Sequence, residues 1–116
     1  MCGFLSVYFK NNSSLNSNNL INRNFKKFNH RGPDNTNIEK ILIDDNTLFI
    51  GHHRLSIIDL NQRSNQPMNS KDSRYKIIFN GEIYNHNDLR HELNSLYNIS
   101  WDGTSDTETL LYLLIH

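Results

Sequence analysis

The stretch "EKILIDDNTLFIGHH" (residues 39–53) decides the fold. Two segments rich in isoleucine, leucine and phenylalanine lie on either side of the turn-prone pair Asp45-Asn46. This arrangement is typical of a β-hairpin. Outward from it, the apolar run "GFLSVYF" (residues 3–9) predicts another strand, which begins close to the N-terminus.

The spacing of four apolar residues predicts a helix between these strands. Leu20, Ile21, Phe25 and Phe28 follow one another at steps of one, four and three, which places them on one helical face. The helix is predicted to end before "HRGPD" (residues 30–34), because the residue before a proline disfavours the α conformation.

The second half of the chain mixes short strands with helices. "LSIIDL" (residues 55–60) predicts a short strand, residues 61–73 a loop, and "YKIIFNGEIYN" (residues 75–85) the strongest strand of the sequence. "HNDLRHELNSL" (residues 86–96) is predicted to be a helix with an asparagine as its N-cap, and "TSDTETLLYLLIH" (residues 104–116) a helix capped by Ser105 or Thr104. The predicted fold class is therefore α+β.

The final helix is apolar on nearly every side, so we expect it to be buried. It runs to His116 without a C-cap glycine or a polar tail, which we interpret as a sign of truncation. Residues 1–116 are accordingly expected to be only marginally stable by themselves. No internal repeat or domain boundary is visible.

Composition excludes several classes of function. Twelve basic residues balance twelve acidic ones, so nothing indicates binding to nucleic acid or to an anionic membrane. No apolar run reaches the length of a membrane span, and no secretory leader is recognised, so we expect a cytoplasmic protein. One cysteine excludes an intramolecular disulfide. The asparagine-rich residues 10–24 are interpreted as compositional bias.

The lone Cys2 has two interpretations. It is either an incidental small residue or an N-terminal nucleophile. Removal of Met1 would give Cys2 a free α-amine, whose ordinary pKa is near 8, and this amine can act as general base for the thiol of the same residue. Position alone favours the incidental interpretation.

Two other motifs carry groups that acyl transfer needs. Asn80-Gly81 follows an apolar strand, so the Asn80 amide and the Gly81 N–H could stabilise one oxyanion. "SDTE" (residues 105–108) places a carboxylate at a helix start. Each has an ordinary structural alternative, because Asn-Gly is a common hairpin turn and an acidic residue at a helix start favours the helix dipole.

In combination, these motifs resemble one family. The order and spacing of "MCGF", "HRGPD", "GHHRLSIIDL", "NQPM", "FNGEIYN" and "SDTE" are similar to the N-terminal glutaminase domain of asparagine synthetases. This is the class II glutamine amidotransferase type among the N-terminal nucleophile hydrolases. The resemblance covers essentially the whole chain outside the asparagine-rich segment.

The resemblance implies a role for each matching residue. Cys2 would attack the side-chain amide of glutamine, while Asn80 and the Gly81 N–H would stabilise the tetrahedral oxyanion. Arg54 would pair with the α-carboxylate of the substrate, and Asp106 would bind its α-ammonium group. The remaining residues expected to line the glutamine pocket are Leu55, Ile57 and Glu82.

The resemblance also implies a larger protein. The fold would be the αββα sandwich of N-terminal nucleophile hydrolases, of which residues 1–116 would supply only the N-terminal part. An ATP-dependent synthetase domain, normally in the same chain, would receive the ammonia and make asparagine from aspartate. The glutaminase part needs no cofactor, ATP and Mg²⁺ belong to the synthetase domain, and a homodimer is a possible assembly.

Two alternative functions remain open at this point. The ammonia acceptor could instead be a sugar, an antibiotic or a peptide, because the acceptor domain lies outside the sequence. The chain could also be an inactive truncated product that serves at most as an interaction module.

Six histidines raise the alternative of a metal site, above all the pair His52-His53. Adjacent residues on a strand point to opposite faces, so the pair is not suited to chelate one ion. No metal site is therefore predicted, and His53 is given no role.

Overall fold

A three-stranded antiparallel sheet forms around the hairpin. In the computed structural model, which describes residues 2–10 and 17–116, the sheet has the order β1 (Gly3–Phe9), β3 (Asn46–Arg54) and β2 (Asn35–Ile43). The strand predicted over residues 3–9 and the hairpin are both confirmed. The turn lies one residue earlier than predicted, because Asn46 already pairs with Ile43 in the ladder.

The register of the sheet brings the N-terminus to the end of its central strand. Gly3 lies opposite His53, and Asn35 lies opposite Arg54. Nearly all of β3 is buried, whereas β1 alternates between half-buried and exposed residues. Cys2 therefore adjoins the point where the chain leaves β3.

Helix α1 (Ser17–Phe25) covers one face of the sheet. Its Ile21 and Phe25 side chains are buried, and the Phe25 ring stacks on the His53 ring with 4.0 Å between their centroids. The chain then tightens into a 3₁₀ helix (Lys26–Arg31), which has three residues per turn instead of 3.6. The predicted apolar face is wrong at Leu20 and Phe28, which are 51% and 48% exposed, and the helical conformation continues past the predicted end.

The "RGPD" motif fastens this helical segment to the end of β3. The Asp34 N–H donates to the Arg54 carbonyl (3.0 Å), and the Asp34 carboxylate accepts from the Ser56 N–H (2.7 Å). At Gly32 a Cβ atom would lie 2.4 Å from the His53 carbonyl oxygen and 2.5 Å from the Arg54 carbonyl carbon. Because these are backbone atoms, glycine is the residue that permits the contact.

The middle of the chain contains less strand than predicted. Residues 55–60 form no strand, and the strand expected over residues 75–85 is reduced to β5 (Lys76–Ile77). β5 pairs with β4 (Met68–Asn69), which lies in the segment predicted as loop, as does a short 3₁₀ helix (Gln62–Ser64).

These strand predictions are wrong because side chains replace the sheet ladder as hydrogen-bond partners. The Arg54 guanidinium binds carbonyl groups of residues 58, 59 and 61. Gln66 and His52 bind the N–H and the C=O of Phe79. The backbone groups at these positions are therefore satisfied without strand pairing.

Helices α2 (His86–Leu96) and α3 (Asp106–Ile115) are confirmed. Ser105 caps α3, since its hydroxyl accepts the Glu108 N–H at 3.2 Å, whereas Asn85 makes no side-chain cap of α2. The expectation of a wholly buried final helix is wrong: the polar first half of α3 is buried, and Leu114 is 70% exposed. Among the described residues, no helix is both long enough and apolar enough to cross a membrane.

Arg90 joins α2 to the start of α3. Its guanidinium forms a part-buried ion pair with Glu108 (3.2 Å) and lies over the Trp101 ring, 4.0 Å from the centroid. It also donates to the carbonyls of Gly103 and Ser105. These bonds hold the segment that leads into α3, and with it the position of Asp106.

We predict that Gly32→Ala destabilises the chain by about 1–3 kcal/mol, because the new methyl group overlaps backbone atoms of β3 that cannot move independently. Chemical denaturation of both proteins measures the difference. Gly3→Ala is the matched control, since its Cβ would meet only Arg31 side-chain carbons at 3.1 and 3.3 Å. Equal effects of the two substitutions would contradict the prediction.

Candidate active site

One cavity of about 280 Å³ lies between the end of β3, the segment after β5 and the start of α3. All eight residues predicted from the sequence line it: Cys2, Arg54, Leu55, Ile57, Asn80, Gly81, Glu82 and Asp106. The sequence analysis did not assign Gln66, Phe79 or Tyr84, which also line it. Its volume suits a ligand about as large as an amino acid.

Cys2 is held at the cavity wall by contacts on both sides. The Leu55 N–H donates to Sγ at 3.2 Å, and the Leu55 carbonyl lies 3.6 Å from the same sulfur. The Arg31 Nε donates to the Cys2 carbonyl at 3.3 Å. The arginine of "RGPD" therefore anchors the backbone of Cys2, and the residue that follows β3 orients its thiol.

Asn80 and Gly81 are exposed at the cavity, and they directly follow Phe79, whose backbone makes two part-buried hydrogen bonds. The Phe79 N–H donates to Gln66 Oε1 at 2.5 Å, and the His52 Nε2–H donates to the Phe79 carbonyl at 3.0 Å. Because a carbonyl oxygen only accepts, the proton of the neutral His52 ring is assigned to Nε2.

Burial lowers the pKa of His52, and the charges of Arg54 and His53 lower it further, while the bond to the Phe79 carbonyl opposes the shift. His52 Nδ1 is buried without a hydrogen-bond partner among the described residues. A second proton on this ring would therefore have no acceptor. His52 is the neutral donor to Phe79 at ordinary pH.

Arg54 lies at the cavity with only 6% of its surface exposed. Its Nη1 donates to the Asn61 carbonyl and to Asn65 Oδ1, both at 2.9 Å, and its Nη2 donates to the carbonyls of Ile58 (3.1 Å) and Asp59. Both terminal nitrogens thus bind the loop of residues 58–65, which curls around the guanidinium. Direct contact with a ligand carboxylate requires exchange of one of these acceptors.

Asp59 organises the same loop from its outer side. Its φ of 48° lies in the left-handed region, and its carboxylate accepts N–H groups from Asn61 (3.2 Å) and Thr104 (2.7 Å). Burial opposes ionisation of Asp59, but the hydrogen bonds outweigh burial and hold its pKa well below the ordinary value. The Arg54 loop is thereby connected to the segment before α3.

Asp106 links the start of α3 to the segment after Gly81. Its carboxylate accepts the Ile83 N–H at 3.0 Å and the Thr107 N–H at 2.8 Å, and the residue is 6% exposed. An ionised carboxylate has about four acceptor positions, so two remain for another donor. Asp106 can thus hold the backbone and accept from a ligand ammonium group at the same time.

The adjacent histidines point to opposite faces of β3, as predicted from the strand. His52 bonds to Phe79, whereas His53 Nε2 donates to the Phe25 carbonyl at 2.8 Å and Nδ1 lies 2.8 Å from the Thr36 hydroxyl. Across residues 2–10 and 17–116, no group of three or more His, Cys, Asp or Glu side chains could hold a metal ion.

We predict that Asp59→Asn destabilises the chain by about 1–3 kcal/mol at neutral pH, because one acceptor oxygen is replaced by an amide that faces N–H donors. The lowered pKa means that ionised Asp59 stabilises the fold above the ordinary carboxyl pKa, and that this stability is lost as the pH falls below about 4.

Thermal denaturation across pH measures the effect. The difference in Tm between wild type and Asp59→Asn should be largest near neutral pH and should shrink in acid. Asp45→Asn, at an exposed hairpin position, should change Tm little at any pH. A Tm difference that stays constant down to strongly acidic pH would contradict the prediction that ionised Asp59 stabilises the fold.

Comparison with known proteins gives a consistent set of relatives. Asparagine synthetase (glutamine-hydrolyzing) 1 of Bacillus subtilis (strain 168) is 40% identical over 118 aligned residues, which cover 100% of this chain and 18% of that protein. A probable asparagine synthetase (glutamine-hydrolyzing) of Acanthamoeba polyphaga mimivirus is 34% identical over 97% of this chain and 20% of its own length. Amidase chyE of Penicillium rubens is 41% identical over 75% of this chain and 12% of its own length.

The chain spans a fifth or less of the length of these relatives. The family model of the glutamine amidotransferase domain matches residues 1–116. That match includes every residue that lines the cavity. The chain therefore belongs to the family of glutamine amidotransferase domains.

Proposed function

We propose that this chain hydrolyses the side-chain amide of glutamine to glutamate and ammonia, as the glutaminase part of an asparagine synthetase. The observation that carries the proposal is the cavity, in which a thiol, an Asn-Gly pair, a guanidinium and a carboxylate converge. Glutamine presents a reacting amide, a carboxylate and an ammonium group, and each has a complementary partner there. The asparagine synthetases among the relatives support aspartate as the acceptor of the ammonia, over a sugar, an antibiotic or a peptide.

Cys2 is the proposed nucleophile. After removal of Met1, its α-amine takes the thiol proton and Sγ attacks the amide carbon. Collapse of the tetrahedral intermediate breaks the C–N bond, and the amine returns the proton to the leaving ammonia. Water then hydrolyses the thioester to glutamate. The contact of Leu55 with Sγ holds the nucleophile on the cavity side throughout.

The Asn80 amide and the Gly81 N–H are proposed to stabilise the oxyanion formed by this attack. Donors of this kind act on charge that develops in the transition state, and one of them is typically worth about 10²–10³ in kcat. The hydrogen bonds to Phe79 support this role, because they hold the backbone directly before Asn80.

Arg54 and Asp106 are proposed to bind the α-carboxylate and the α-ammonium group of glutamine. The two acceptor positions that remain on the Asp106 carboxylate support its proposed bond to the α-ammonium group. Arg54 needs to exchange a loop carbonyl for the substrate carboxylate, which a planar guanidinium can bind with two N–H groups. Leu55, Ile57 and Glu82 complete the pocket wall around the side chain of the substrate.

The proposed fold is the N-terminal part of the αββα sandwich of N-terminal nucleophile hydrolases. The three-stranded sheet with α1 on one face supports this, and so does the ion pair of Lys76 on β5 with Glu39, which lies on the other face. Phe4 and Tyr8 on that second face are 55% and 56% exposed, in keeping with further elements that would cover them.

We further propose that the protein continues into a synthetase domain that binds ATP and Mg²⁺ and adds the ammonia to aspartate. The length of the relatives supports this continuation. A free nucleophilic thiol suits the reducing cytoplasm. We also propose a homodimer as the assembly of the full-length protein.

Two substitutions test the function in the full-length protein. Cys2→Ala should abolish glutamine hydrolysis and leave synthesis from added ammonia intact, because only the nucleophile is lost. Asn80→Ala should lower kcat about 10²–10³-fold through loss of one oxyanion donor. Ammonia release from glutamine is the assay, and intact mass should show that Met1 has been removed.

Asn98→Ala removes an exposed amide that does not line the cavity and serves as the matched control. Glutamine hydrolysis by Cys2→Ala would refute the proposed nucleophile. Retention of Met1 in active enzyme would refute the α-amine as base.

A further inference from the structure

We propose that His52 and Gln66 are positioning residues for glutamine hydrolysis, which hold the Phe79 backbone from both sides and thereby aim the Asn80 amide and the Gly81 N–H. The inference rests on the proposed glutaminase function and extends it to two buried residues that do not react. Neither residue would supply a proton or bind the reacting amide.

The Phe79 backbone needs such support because the sheet ladder ends before it. β5 ends at Ile77, so strand pairing does not extend to the residues that carry the oxyanion donors. The Phe79 N–H and C=O belong to two successive peptide planes, and the second plane contains the nitrogen and the Cα of Asn80. Bonds to both groups therefore restrict the orientation of the backbone at Asn80.

Gln66 is placed to hold the first of these planes. Its side chain is 5% exposed, its Oε1 accepts the Phe79 N–H at 2.5 Å, and its Nε2 donates to Thr107 Oγ1 at 3.2 Å. The two bonds fix which end of the amide faces Phe79. Gln66 thus connects the oxyanion segment to the first turn of α3, directly beside Asp106.

His52 holds the second plane from β3, the central and most buried strand of the sheet. It lies on β3 with 0% of its surface exposed, and its Nε2–H donates to the Phe79 carbonyl at 3.0 Å. Arg54, two residues further along β3, lines the substrate cavity. One strand therefore positions both the carboxylate site and the oxyanion segment.

The polarity of the two Phe79 backbone groups explains why a glutamine and a histidine suit these positions. A buried backbone N–H needs an acceptor and a buried C=O needs a donor, and an unmet bond costs about 1–3 kcal/mol. Gln66 supplies the acceptor and still satisfies its own NH₂ group on Thr107. Neutral His52 supplies a donor without placing a charge next to Arg54.

The test compares substitutions that remove each bond with one that keeps it. His52→Met and Gln66→Met delete the partner at similar size, and each should lower kcat for glutamine about ten- to a hundredfold, since a small misplacement of catalytic groups has this effect. KM should change little, because Arg54 and Asp106 still bind the substrate. His52→Gln keeps an N–H donor at similar reach and should restore most of kcat.

Two measures separate positioning from a loss of folded protein. The final stoichiometry of Cys2 labelling by a glutamine analogue with an electrophilic group counts the intact sites, and kcat is expressed per labelled site. Thr107→Val removes the partner of Gln66 Nε2 at nearly constant shape and should lower kcat by a smaller factor. It keeps the inference testable if a methionine variant does not fold.

His91→Met is the matched control on an exposed residue outside the cavity and should retain wild-type kcat. The inference is overturned if His52→Gln is as impaired as His52→Met, or if the losses appear in KM or in labelling stoichiometry instead of kcat. If the wild-type protein hydrolyses glutamine and the positioning variants match it, this inference fails while the proposed function stands. A wild-type protein without glutaminase activity overturns both.

Discussion

The pairing of Gly3 with His53 is the constraint on which the rest of the site depends. This one register places Cys2 beside Leu55, so the thiol lies where the chain leaves the most buried strand of the sheet. A slip of one residue would turn every side chain of β1 to the opposite face and carry the sulfur away from the cavity. Strand pairing, rather than a local motif around Cys2, therefore determines where the Cys2 thiol lies.

The strand β3 has a second role, because three consecutive residues at its end serve three different parts of the molecule. His53 binds the Phe25 carbonyl on the helical side, His52 binds the Phe79 carbonyl on the other face, and Arg54 binds the loop of residues 58–65. Alternation along a strand makes this division possible. One buried central strand therefore contacts parts of the site that are far apart in sequence.

Much of this arrangement could be predicted from the sequence. The edge strand, the hairpin and the last two helices follow from local patterns of apolar residues and caps, and the eight residues suggested by family resemblance do meet in one cavity. The strands expected over residues 55–60 and 75–85 could not be corrected from sequence, because side chains take the place of strand partners there: Arg54 binds the carbonyls of residues 58 and 59, and Gln66 binds the N–H of Phe79.

For the same reason, no role could be predicted from the sequence for Gln66 or His52. A glutamine in a loop and a histidine on a strand are ordinary residues until the structure shows what their polar atoms contact. Their signal lay only in the motifs "NQPM" and "GHHRLSIIDL", which mark a family without explaining the residues.

The bond from Arg31 to the Cys2 carbonyl has a consequence for maturation of the N-terminus. This attachment, the Leu55 contact and the pairing of Gly3 all lie on the C-terminal side of the peptide bond between Met1 and Cys2. Excision of the initiator residue therefore breaks none of them. Removal of Met1 would leave the hydrogen bonds of Cys2 and Gly3 intact. The new α-amine would then belong to a residue whose carbonyl and sulfur are already held by Arg31 and Leu55.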